Sequence, residues 1–306
     1  MAVMTRMQFA KSLEDGLAGH FGMAYDDWPE EHSQIFEQRT STRAFEEIVQ
    51  QIGLGYAQEL EEGAEYATDE GGEGWTKRFT ARSVALSFEI TDNAIQDNRY
   101  MNLGQQYARS LARSLRQTKE VYHANVFNNA DQTGIYAGGD GVALLSTVHP
   151  LAGGGTASNT LAAGADLSED ALEQILITIR NFKDDRGIPC MAKPRRLIVS
   201  TTGEPNAVRI TKSNLRVETA DNDLNYVKYK GHFNSDPFAL TNLTDANAWF
   251  VQTDMPDGFI TMNRQKTVMP KATIDPKTDN ICYRAKERYD EGFVNWRCVA
   301  GSMGSS

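Results

Sequence analysis

Cysteine is scarce in this sequence, and Cys190, Cys282 and Cys298 sit at no paired spacing. An odd number spread so widely excludes a disulfide framework and reads as reduced thiols in a chain made in the cytoplasm. A zinc site would need cysteine or histidine partners at short spacing, and His20, His32, His123, His149 and His232 are scattered, so no metal site is expected. No apolar run reaches the roughly 18 residues of a membrane span, so nothing is expected to cross a bilayer. The stretch Met1–Lys11 lacks an apolar signal core and carries Arg6 and Lys11, which argues against secretion. Bases are outnumbered, 31 Lys and Arg against 41 Asp and Glu, for a net charge of −10. That excludes a surface built as a whole to grip nucleic acid and leaves room only for local basic patches.

Reactive motifs are also missing. Gly138-Gly139-Asp140-Gly141 is not a dinucleotide fingerprint, and no Walker-type phosphate loop occurs. Ser146 and His149 are three apart, but Pro150 follows and no nucleophile elbow is present, so the spacing reads as a turn. The acidic cluster after residue 58 lacks the oxygen and glycine spacing of a calcium loop. His123 lies beside an apolar stripe and reads as packed rather than liganding. No catalytic, cofactor-binding or metal-binding residue is therefore nominated, and no cofactor is expected.

What is present is a long basic helix from about Asp97 to Ala130. At about 100° per residue, Tyr100, Leu103, Tyr107, Leu111, Leu115 and Tyr122 share one face. Arg99, Arg109, Arg113, Arg116 and Lys119 share the other, with no acid between Asp97 and Glu120. A helix of this length spans about 50 Å and needs a sheet or a partner laid along it. Before it, residues 56–74 carry Glu59, Glu61, Glu62, Glu65, Asp69, Glu70 and Glu73 with no base, punctuated by glycine. Val84, Leu86, Phe88 and Ile90 then alternate with polar or small residues as a half-buried strand. Together they predict two extended limbs joined by an acidic tip. Residues 1–45 hold too few apolar side chains for a core of their own and read as an arm that packs on something else or as a disordered tail.

Ordinary hydrophobic content, 40%, over 306 residues allows a full core. After the helix, Val142–Val148 reads as a short strand and Gly153–Asn159 as a flexible connection. Asp166 or Ser168 caps a helix with Leu172, Ile175, Leu176, Ile179 and Phe182 buried, Lys183 and Arg186 in its last turn, and Gly187 with Pro189 ending it. Leu197–Val199, Tyr226–Phe233 and Trp249–Gln252 read as strands and Glu204–Lys212 as a helix. Phe259–Met262, Thr267–Met269, Ile281–Ala285 and Phe293–Arg297 read as strands that return beneath the long helix. The result is α+β, with a small mixed domain inserted between two halves of a sheet-and-helix domain.

Elaborate extensions without a reactive centre suit a subunit that assembles through repeated contacts. Several stretches resemble the major capsid proteins of tailed bacteriophages, which have the Hong Kong 97-type fold. Gly141–Pro150 followed by Gly154–Asn159 is similar to a recurring stretch of such head proteins, including Mu-like ones. Glu62-Gly63, then Gly74–Lys77 through Phe88–Thr91, resembles their extended loop leading into the spine helix. Glu291–Arg297 with Gly301-Ser302 resembles their C-terminal strand, with Cys298 standing where glycine is expected. The resemblance covers roughly residues 40–302.

It implies an N-terminal arm at 1–45, an extended loop at 46–96, a peripheral domain at 97–160 and 255–306, and an axial domain at 161–254. It implies a self-assembling subunit of an icosahedral head that encloses double-stranded DNA, built from hexamers and pentamers in the host cytoplasm and carried in the virion. A separate scaffolding protein and a portal are the expected partners, with non-specific DNA contact and no membrane. The inter-subunit residues nominated are Glu59, Glu61, Glu62, Glu65, Lys77, Arg78, Arg109, Arg113 and Arg116. The acids are expected to meet bases of a neighbour, and the basic helix face is an alternative DNA contact. Lys77 is a conceivable cross-linking lysine. Two other readings stay open: an encapsulin-like nanocompartment shell and a soluble enzyme.

Overall fold

The computed structural model describes residues 19–63, 65–91, 100–215, 224–233, 235–268, 273–274 and 280–305. Helix α1, residues 19–27, stops at Trp28-Pro29, where proline removes a backbone donor. Strands β1 (Glu37–Thr40), β2 (Phe45–Ile52), β3 (Gly72–Thr80) and β4 (Arg82–Ile90) precede helix α2 (Tyr100–Asn128). Arg99 lies outside the described residues.

The Val142–Val148 stretch is not a strand. Ala143, Leu144 and Leu145 are buried as an irregular loop, and pairing begins only with β5 (His149–Pro150) against β6 (Thr156–Ala157). The loop's polar groups are met by one side chain. Asn159 Nδ2 donates to the Leu144, Trp296 and Val299 carbonyls, while its Oδ1 accepts from Ser146 N–H at 2.9 Å.

Helix α3 (Glu169–Arg180) is capped by Ser168, whose hydroxyl accepts from Ala171 N–H at 3.2 Å, with Glu169 and Asp170 favouring its N-terminal dipole. It ends earlier than the sequence suggests. Lys183 and Arg186 lie in a turn beyond it, where Lys183 bridges Pro189 and Gly187 takes the φ of +83° that favours glycine. Next come β7 (Pro194–Ser200), α4 (Glu204–Lys212) and α5 (Tyr226–Lys230). The last corrects the strand expected at 226–233: Asn225 caps the helix and Gly231 closes it in the left-handed region.

Strands β8 (Phe238–Leu240), β9 (Trp249–Thr253), β10 (Phe259–Val268), β11 (Thr273–Ile274), β12 (Ile281–Phe293) and β13 (Val299–Ser302) complete the described elements. Phe293–Arg297 is thus the end of one strand and a short turn rather than a strand of its own.

Two sheets organise the molecule. In one, β10 runs antiparallel to β12 and parallel to β1, while β4 pairs with β12 from Ile281 to Tyr289 and β11 joins at Ile281 and Cys282. The other has the order β13-β9-β7-β8. Strand β13 runs antiparallel to β9; Gly301 is required there because a Cβ would fall 2.3 Å from Trp249 O.

Helix α2 bridges both cores. Its first half packs Ala108, Leu111, Ala112 and Leu115 against Ile90, Tyr283, Ala285 and Phe21 of α1. Its last turns bury Ala124, Val126 and Phe127 with Phe250 and Phe259. Each of the larger side chains contributes about 1.5–3 kcal/mol on burial. Tyr107, assigned to the apolar face, is half exposed with its ring tilted over Phe88, and Tyr122 is half-buried; the side chains of Tyr100 and Leu103 lie outside the described residues.

Between these anchors the helix rests on polar groups. His123 Nδ1 donates to Lys119 O at 2.7 Å and Nε2 lies 2.7 Å from Thr261 Oγ1, and burial holds the ring well below the usual histidine range. Glu120 accepts from His32 twice, from its backbone N–H at 3.0 Å and from Nδ1 at 2.6 Å.

Candidate assembly surfaces

The acidic tip belongs to a two-stranded hairpin. Phe45 pairs with Thr80, Ile48 with Lys77 and Ile52 with Gly72, which leaves residues 53–71 as its loop. The limb returning from the tip is therefore β3; Val84–Ile90, read as part of that excursion, instead pairs with Tyr283, Ala285 and their neighbours in β12. The hairpin's root is fixed to the body. Phe79, 1% exposed, and Ile48 pack on Ile260, Met262 and Val294. Thr80 N–H donates to Asp290 at 2.7 Å, and Gln50 Nε2 donates to Asp185 at 2.8 Å. Arg186 reaches the loop at Glu70 O, 2.5 Å, and Asp69, 3.6 Å. Asp69 also accepts from Gly55 N–H across the loop, and that bond holds its carboxyl below the usual range.

Beyond those ties the loop is solvent-exposed. Glu59, Glu61, Glu62 and Glu65 have no ion-pair partner among the described residues. Leu54, Tyr56, Leu60 and Tyr66 are exposed among them, Tyr66 at 84%.

The nominated bases lie elsewhere. Lys77 points inward, half-buried, and donates to Ala137 O at 2.5 Å; burial lowers its pKa. It is not presented for cross-linking. Arg78 pairs with Glu47 at 2.7 Å and stacks over Phe45 at 4.3 Å within the same hairpin. On α2, Arg109 and Arg113 are exposed, with Arg113 4.7 Å above the Trp28 ring.

Arg116 corrects the sequence reading. It is 5% exposed, paired with Glu30 and stacked 4.4 Å over Tyr25, so it cannot also receive a neighbour's acid. Lys119, placed on the same basic face, is also buried, with its Nζ 3.1 Å from Asn263 Oδ1. The arm covers Arg116 through Tyr25 and Glu30, whereas Lys119 turns onto the sheet, 5.2 Å from the Tyr289 ring centre.

A second basic surface escaped the sequence reading. Along β12, Tyr283, Ala285, Glu287 and Tyr289 are buried while Arg284 and Lys286 are exposed and Arg288 is half-buried. Bases at every second residue of a strand were the available signal. They face away from α2, beside Ser83, Ala85 and Ser87 of β4, which are exposed.

Among the described residues no group of His, Cys, Asp and Glu could hold a metal ion. His149 is fully buried, donates to Asp140 at 2.7 Å, lies 3.2 Å from Asn159 Oδ1 and stacks on Trp296 at 4.5 Å, while the Ser146 hydroxyl accepts from Val148 N–H. Burial pushes the Cys190 and Cys298 thiols up, away from reactive thiolates, and Cys298 packs against Gly258, where a Cβ would come within 2.7 Å.

The model of a family described as phage capsid protein matches residues 75–302. A search of curated proteins finds no match. Among solved structures the fold is similar to that of Microbacterium phage Oxtober96, at 13% identity and a TM-score of 0.55, covering 91% of this chain and 93% of that one. Mycobacterium phage Adephagia matches at 14% and 0.53 over 100% and 99% of the two chains. A virus-like particle from Pyrococcus furiosus matches at 9% and 0.53 over 93% and 96%. At these identities the structures speak to the fold alone, the Hong Kong 97-type capsid fold. The family match spans most of the sequence, and with it the chain belongs to the phage capsid protein family, as a major capsid subunit of a virion shell.

Proposed function

We propose that this chain works by assembly alone, catalysing nothing, and that its closed shell of hexamers and pentamers encloses double-stranded DNA. The observation that carries this reading is the hairpin of residues 45–80, rooted firmly in its own subunit yet holding Glu59, Glu61, Glu62, Tyr56 and Tyr66 out into solvent with no ion-pair partner for those acids among the described residues. In this reading residues 1–45 act as the arm, 46–96 as the extended loop, 97–160 and 255–306 as the peripheral part, and 161–254 as the axial part. Each contact between copies is modest, and closure makes later ones effectively intramolecular. A separate scaffolding protein and a portal guide closure, and DNA contact is non-specific and salt-dependent. A nanocompartment shell of the same fold is less favoured, because the matching family is one of phage capsid proteins.

The test is electron microscopy of the protein purified alone and with its neighbouring gene products. Closed shells in either preparation, and full heads holding DNA of uniform length, are the expected result. Shells that hold a cargo enzyme and no DNA would favour the nanocompartment, and a discrete small oligomer in both preparations would contradict the assembly reading.

A further inference from the structure

The two faces of the β4–β12 sheet differ in what covers them. Helix α2 lies on one, over Tyr283 and Ala285. The hairpin's root lies on the opposite face, over Ile260 and Met262, at the far end of β12; a Cβ on Gly292 would touch Phe79 at 3.3 Å. Among the described residues nothing covers the remainder of that second face. It presents Arg284, Lys286 and the half-buried Arg288 over a floor of small residues on β4. Arg284 and Lys286 have no acid partner among the described residues, and the Arg288 Nε is buried without a hydrogen bond. Acids on this face are few: Asp290 is already engaged by Thr80 and Arg82, and Glu89 sits at the strand's end, 3.5 Å from Asn280.

Sidedness then selects the partner. Copies in a closed shell are related by rotations about axes that cross the shell wall, so every copy turns the same face to the same side. A loop that leaves along the hairpin face meets the hairpin face of its neighbour, not the α2 face. We infer that the acidic tip, residues 53–71, docks on the Arg284–Lys286–Arg288 row of a second copy, and that Arg109 and Arg113 of α2 are not its receptor. Exposed Tyr56 and Tyr66 suit the stems of those long bases, which can lie along aromatic rings while their charges meet Glu61 and Glu62. This inference rests on the assembly reading and assigns that contact its partner surface.

The experiment compares shell yield, by sedimentation and electron microscopy at about 150 mM salt, for wild type, R284E/K286E and R109E/R113E. The reversal on β12 is expected to cut yield at least about tenfold, because modest exposed pairs repeat around the shell. Adding E61K/E62K is expected to restore it, and the α2 reversal to assemble like wild type. Full assembly of R284E/K286E would overturn the inference, as would failure of R109E/R113E rescued by E61K/E62K. Should R284E/K286E not fold, R284Q/K286Q with a lower salt tolerance than wild type supports the inference, and an unchanged tolerance overturns it. Wild type that forms no shells would overturn the assembly reading beneath it, a separate failure.

Discussion

Glu291 is the side chain whose surroundings most alter its chemistry. Burial pushes its carboxyl up to about 7 from an ordinary 4.5, despite Arg82 at 2.5 Å. Between those values the folded chain keeps a proton that the unfolded chain has released. Its contribution to stability is therefore complete below pH 4.5 and is lost as pH rises through 7, on the order of 3 kcal/mol. Glu291→Gln keeps the shape without the titration, so the thermal midpoint of wild type is expected to fall relative to the variant's over that interval. A constant gap across the interval would contradict the assignment. At this scale the sequence was a partial guide. It placed Arg109, Arg113, Arg116 and Lys119 on one helical face, but only Arg109 and Arg113 are exposed; Lys119 turns onto Asn263 and Tyr289, and the burial of Arg116 is set by Tyr25 and Glu30, some ninety positions away, so no local pattern carries that information.

Individual elements were legible where the physics is local. Helix α3 was found from Ser168 and a buried stripe of period 3.6. Ser168→Ala is expected to cost about 1 kcal/mol in denaturant unfolding through the lost bond to Ala171 N–H, and an unchanged midpoint would refute the cap. The C-terminal end of α2 was legible to within a few residues, and nothing between Tyr100 and Asn128 breaks a helix sharply, while the expected start at Asp97 lies outside the described residues. Elements failed where partners are distant. Ala143–Leu145 is apolar enough for a strand, yet it is satisfied by Asn159 and needs no ladder. The alternation at Val84–Ile90 showed a strand but not that its partner is β12, nearly two hundred positions on. The acidic tip was found by composition, whereas its basic counterpart on β12 was missed because Glu287 and Asp290 interrupt the run of bases and hide the alternation.

For the whole molecule, the account requires that folding and assembly be separable. Replacing residues 53–71 by a two-residue Asn-Gly turn is expected to leave the subunit folded, since the buried root at Phe79 and Ile48 is untouched and such a turn suits the β2–β3 register. The same variant is expected to form no shells. A truncated subunit that assembles normally would show that the hairpin's reach is dispensable. Stability resides in the two cores bridged by α2, and the loop is spared that duty.

The most direct measurement is amide hydrogen exchange over residues 53–66 in assembled shells and in dissociated subunits. The account predicts exchange near the unprotected rate in free subunits and at least about tenfold slower in shells. Equal exchange in the two states would contradict it.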